Sequence, residues 1–179
     1  MLKKMIASFV LVALLTAVSA SAGTSDATVS LTATVAEFAE WSSASYTIAA
    51  GDWTGSASGT TIDQVGESLT VTKALTLYAN KDVTVSAAAG TNSGIATNGT
   101  ETLTTSYKVT GDVGIPDGAY KAAAAGVGEF FNASNTYSVT HTAGDGSYTI
   151  NLGVQLESES GRAENAGDYT ASITMTATF

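Results

Sequence analysis

The sequence predicts an all-β protein built as a single antiparallel β-sandwich. Three observations carry this prediction. Apolar and polar residues alternate with a period of two in about seven segments, and no segment shows a convincing period of 3.6. Turn signals built on Gly, Asn and Asp recur roughly every eight to twelve residues, the spacing of a sandwich or barrel. The composition agrees, since 18 Gly, one Pro and abundant Thr, Ser and Ala describe strands joined by glycine turns.

The chain opens Met1-Leu2-Lys3-Lys4, runs through an apolar stretch from Met5 to Val18 and reaches Ala20-Ser21-Ala22. Two positive charges, an apolar run of about fourteen residues and a small-x-small site form the pattern of a secretory signal peptide, with cleavage expected before Gly23. The run is shorter than the roughly 20 residues needed to span hydrocarbon. The expected organisation is a signal peptide over residues 1–22 and one β-sandwich domain over 23–179. The expected location is outside the cell, at its surface or in the periplasm, with no membrane insertion after cleavage.

Without Lys3 and Lys4, five basic side chains remain against 16 acidic ones, a net charge of −11. Nucleic acid and anionic membrane both require basic patches that displace counterions, so neither is an expected partner. The chain has no cysteine although its destination permits disulfides. Its stability is therefore expected from core packing and hydrogen bonds, with bound metal or neighbouring subunits as further sources.

Taken in order, Ala27 to Val35 places Ala27, Val29, Leu31, Ala33 and Val35 on one face of a strand. It reads either as the first strand of its own sandwich or as a donor strand, within residues 23–35, lent to another subunit. Ser45 to Ala49 resumes the alternation before a turn at Gly51-Asp52, and Trp53 to Gly66 reads as loop or short edge strand. Glu67 to Lys73 and Ala74 to Ala79 read as two strands, followed by a turn at Asn80 to Asp82 and a strand over Val83 to Ala87. Thr100 to Thr110 alternates through Leu103, Thr105, Tyr107 and Val109.

Ile115-Pro116-Asp117-Gly118 is a turn by composition, and residues 119–125 are a candidate short helix. Phe130-Phe131 is an apolar anchor. Thr136 to Thr142 is expected to pair with Ser147 to Glu157 across Ala143-Gly144-Asp145-Gly146, because Asp-Gly is a strong hairpin signal. A polar loop then leads to Tyr169 to Phe179, where Tyr169, Ala171, Ile173, Met175, Ala177 and Phe179 share one face and five Thr or Ser the other.

His141 is the only histidine, so neither a Ser-His-Asp triad nor a His-rich metal site finds more than this one residue. It reads as a polar side chain at a strand end. No enzyme and no cofactor are expected, because nothing selects a pair of facing carboxylates. Calcium is the one cation considered, since it takes six to eight oxygens and can staple an exported domain. Its candidate ligands are Asp117, Asp145, Glu157, Glu159 and Glu164, against the reading of a solvated acidic surface. Trp41 and Trp53 are expected in the core, the alternative being an aromatic platform for glycans. Asn98-Gly99-Thr100 and Asn132-Ala133-Ser134 match the N-glycosylation pattern, as chance predicts in a chain so rich in these residues.

The ending Gly167-Asp168-Tyr169 through Ile173-Thr174-Met175-Thr176-Ala177-Thr178-Phe179 resembles the closing strand of spore coat protein U-like domains and archaic chaperone–usher pilins. Ala27 to Val35 is similar to the N-terminal extension that such pilins lend to a neighbour. The resemblance covers about a seventh of the chain. It lacks the cysteine pair those domains usually carry and leaves Gly111 to Gly128 without a counterpart. It implies an immunoglobulin-like sandwich that assembles by strand exchange, with the apolar face of Val29, Leu31, Ala33 and Val35 entering a second copy. The expected function is accordingly an exported structural subunit of a fibre, pilus or coat, with itself as partner. The alternative is a glycan-binding or adhesive sandwich module, and a secreted hydrolase is the third reading.

Overall fold

A computed structural model of the chain describes residues 28–56, 59–124, 126, 128–159, 161 and 163–179. The expected signal peptide lies outside the described residues. The chain divides into Met1–Ala36 and Glu37–Phe179. In the first unit, residues 28–36 form no strand.

The second unit is all β. Its described strands are β1 (Ala39–Trp41), β2 (Thr54–Gly55), β3 (Ser68–Ala79), β4 (Val83–Ala89), β5 (Thr104–Gly111), β6 (Lys121–Ala122), β7 (Thr136–Val139), β8 (Ser147–Glu157) and β9 (Ile173–Thr178). One sheet runs β1-β3-β8-β5-β6, with β2 also paired to β3, and the other runs β7-β4-β9. Every strand pairing is antiparallel.

The period of two becomes a core because one face of each strand is apolar. Along β3, Leu69, Val71, Leu75, Leu77 and Ala79 are buried, and along β8 so are Tyr148, Ile150, Leu152, Val154 and Leu156. The register sets these residues opposite one another, with Leu69 against Leu156, Val71 against Val154, Leu75 against Ile150 and Leu77 against Tyr148. Cross-strand apolar pairs of this kind are the unit of sheet stabilisation. The smaller sheet adds Val83 and Val85, set against Val139 and Tyr137, and both sheets contribute to a single cluster. Phe130, almost fully buried, stacks at 5.0 Å from the Tyr107 ring and 5.2 Å from Phe131.

Four expectations are corrected. Residues 67–79 supply one strand, β3, because the alternation runs through Lys73-Ala74 unbroken and β8 is long enough to pair along it. The short helix over 119–125 is replaced by β6, whose Lys121 and Ala122 pair with Tyr107 and Ser106. The Ala122 and Ala124 carbonyls accept from the Phe130 and Phe131 N–H groups. Those bonds seat the two phenylalanines and engage carbonyls that a helix would use internally.

The hairpin between Thr136–Thr142 and β8 also does not form. The turn exists, with Gly144 at φ +95° and the Asp145 N–H donating to the Thr142 carbonyl. Its two arms enter different sheets, β7 pairing with β4 while β8 is enclosed by β3 and β5. A two-residue turn is a local signal, and the eleven-residue ladder between β3 and β8 buries far more than a pairing with the four residues of β7. The final strand is shorter than its alternation, six residues of β9 preceded by a bridge from Thr170 to Thr97.

Candidate functional site

Assembly readings depend on unused strands and unused edges. Residues 28–36 carry no charged side chain. Val29, Leu31 and Val35 are exposed by 70, 76 and 78 %, and Ala33 is exposed too. These four apolar side chains, at alternate positions, are exposed, and no strand forms over residues 28–36.

In the sandwich itself, the strands at the sheet ends are β1 and β6 in one sheet and β7 and β9 in the other. β9 pairs with β4 along one side only among the described residues. Its inward residues Ile173, Met175 and Ala177 are only half-buried although they pack against the core, and Phe179 beyond them is 60 % exposed. β1, three residues long, comes into contact with β9. Ala39 and Trp41 of β1, like the inward row of β9, are partly buried against the core. A strand edge of this kind presents a row of backbone N–H and C=O groups to any incoming strand.

A side-chain network lies elsewhere, around Asp117. Its Oδ1 is 2.6 Å from Lys121 Nζ. Its Oδ2 accepts from Tyr137 Oη at 2.7 Å and from the Val109 N–H at 2.9 Å. Lys121 Nζ also donates to Asn135 Oδ1 at 3.2 Å. Asn135 Nδ2 donates to the Phe130 carbonyl at 3.1 Å and to that of Glu129. Burial alone would raise the Asp117 carboxyl, but the hydrogen bonds from Lys121, Tyr137 and Val109 and the Lys121 charge hold it below the usual carboxylate range. Burial first, and then the bond and charge of Asp117, push the Tyr137 hydroxyl upward.

The five acidic residues considered for calcium are placed as follows. Asp117 is engaged in this network, Asp145 is exposed in the turn before β8, and Glu157 is exposed at the end of β8. Glu164 Oε1 accepts from the Glu159 N–H at 3.0 Å. Among the described residues no three Asp, Glu or His side chains gather into a group that would hold a metal. His141 Nδ1 lies 2.8 Å from Tyr148 Oη, and its backbone N–H donates to Asp82 Oδ1, so it fastens the end of β7 to the start of β4. Trp41 and Trp53 are half-buried against the core.

Two open depressions lie among the described residues. One, of about 390 Å³, is lined by Asp52, Thr54, Thr70, Thr72, Lys73 and Tyr120. The other, of about 290 Å³, is lined by Thr84, Ser138, Thr140, Thr178 and Phe179 among others. Sequence reasoning missed Lys121, Asn135 and Tyr137 because no spacing links them; only the chain path from β6 through Phe130 to β7 brings them together.

No protein-family model matches the sequence, and neither a curated protein nor a solved structure matches the chain.

Proposed function

We propose that the protein is an exported structural subunit that assembles into a fibre or coat by lending residues 28–35 to the β9 edge of a second copy. The observation that carries this reading is the exposure of Val29, Leu31 and Val35 at alternate positions of an uncharged segment whose described residues form no strand. Each such side chain gains roughly 1.5–3 kcal/mol on burial, and an added strand also forms a ladder of backbone hydrogen bonds. The acceptor suits the donor in length. At about 3.3 Å per residue, an extended 28–35 spans the whole of β9 and reaches past it to Phe179. An uncharged strand also enters a domain of strongly negative charge without an added repulsion. The resemblance of both chain ends to pilin-like domains, and a leader typical of exported proteins, support the same reading.

The test compares the mature chain with one lacking residues 23–35. The shortened protein is expected to fold and melt cooperatively but to form no filaments in negative-stain micrographs, whereas the intact chain forms them. A peptide spanning 27–35 should bind the shortened protein, and Leu31→Asp in that peptide should abolish binding, because a carboxylate would enter an apolar row without a partner. Failure of the intact chain to form filaments at any concentration, with loss of folding on deletion, would overturn the proposal.

A further inference from the structure

The geometry around Asp117 assigns a chemical step to a chain that has no cysteine. We propose that Lys121 and Asn135 become joined by an intramolecular amide bond, formed by the chain itself with Asp117 as proton carrier.

The reacting groups are already in place. Lys121 Nζ is 3.2 Å from Asn135 Oδ1, one bond from the amide carbon it attacks. It is also 2.6 Å from Asp117 Oδ1, which is positioned to take its proton. Holding nucleophile, electrophile and base at such distances supplies most of what an otherwise sluggish aminolysis needs. The two bonds from Asn135 Nδ2 to the Phe130 and Glu129 carbonyls fix the carboxamide with its oxygen toward Lys121. Tyr137 and the Val109 N–H hold the Asp117 carboxylate in turn. They are positioning groups, and Asp117 is the catalytic one.

The step balances within the chain. The Lys121 ammonium gives one proton to the Asp117 carboxylate, and the neutral Nζ adds to Asn135 Cγ. The tetrahedral adduct collapses with cleavage of the Cγ–Nδ2 bond. Asp117 returns its proton, and the second proton lost by Nζ leaves with the departing nitrogen as ammonium. Nothing is oxidised or reduced, and Asp117 ends as it began. The product ties β6, at one end of the larger sheet, to the residue just before β7, at one end of the smaller. It is a cross-link between the two layers of the sandwich in the role a disulfide would fill.

The experiment is the intact mass of the exported chain under denaturing conditions, its N-terminus read by peptide mapping. The expected mass is below the sequence mass by one ammonia. Trypsin should fail after Lys121, leaving Val109 to Arg162 as one internally linked fragment. Lys121→Arg and Asn135→Ala should each restore the full mass, and Asp117→Ala should restore it in protein that still shows β-sheet circular dichroism. A wild-type chain at full sequence mass with cleavage after Lys121 would overturn the proposal. So would an ammonia loss that persists in Lys121→Arg, which would place it at a cyclised Asn-Gly pair such as Asn98-Gly99.

Discussion

Tyr107 shows how much one side chain carries in this core. It is 4 % exposed, its ring lies within 5.5 Å of those of Phe130 and Phe131, and its hydroxyl donates to the Gly94 carbonyl at 2.6 Å. Gly94 is itself held at φ +72°, where an added Cβ would fall 2.5 Å from the Phe131 ring, so only glycine fits there. Tyr107→Phe keeps the ring but leaves the carbonyl without its donor. A loss of about 1–3 kcal/mol is expected, measured from the urea midpoint. Burial also pushes the Tyr107 hydroxyl up to about 12. Because the fold favours the neutral phenol, this contribution is whole below the unfolded value of about 10 and is lost as pH rises toward 12. The wild-type melting temperature should therefore fall more steeply than that of Tyr107→Phe over this range. Tyr137 titrates in both proteins and cancels in the comparison; parallel alkaline slopes would sink the assignment.

Among the strands, β3 and β8 form the spine and β9 the margin. Ile150, with no exposed surface, faces Leu75 in the register. Ile150→Ala should cost about 2–5 kcal/mol through lost burial and the cavity left behind. Met175 on β9 is half-buried, and among the described residues its strand pairs with β4 alone, so Met175→Ala should cost clearly less. Equal losses by denaturant titration would mean that β9 is as enclosed as β8. The same contrast explains what could be read in advance. The bounds Ser147 to Glu157 were legible because strict alternation ends at charged and polar residues on both sides. Which strand they would join was not, since a Gly-Asp-Gly turn permits a hairpin without requiring one. Helix 119–125 failed as an expectation because its alanines have no period, and their carbonyls are claimed by Phe130 and Phe131.

For the whole molecule, the governing quantity is charge. Residues 23–179 carry a net charge of −11, so two copies of them repel one another at low salt. The Debye length falls from about 30 Å at 0.01 M to about 8 Å at 0.15 M ionic strength. Assembly through an uncharged strand should therefore accelerate as NaCl is raised over that interval, followed by light scattering. Calcium chloride at equal ionic strength should add nothing to the melting temperature beyond the NaCl effect, because no three acidic side chains converge among the described residues. A calcium-specific rise would restore the staple. Assembly that slows as salt is added would count against the β9 edge as acceptor.

What the sequence by itself determined is the set of strand faces. Side chains alternate at a period of two whatever the partner, so the alternating faces of the segments over 67–79, 83–87, 100–110 and 147–157 were set before any sheet existed. It also determined the uncharged alternating face of Val29, Leu31, Ala33 and Val35. Only the tertiary structure decided strand order, the separation of β7 from β8, the pairing of β9 with β4 and the meeting of Asp117, Lys121 and Asn135. The physical reason is the range of the forces involved. Periodicity and turn chemistry act over a few residues, whereas choosing among equally apolar partners depends on the total area that each arrangement removes from water.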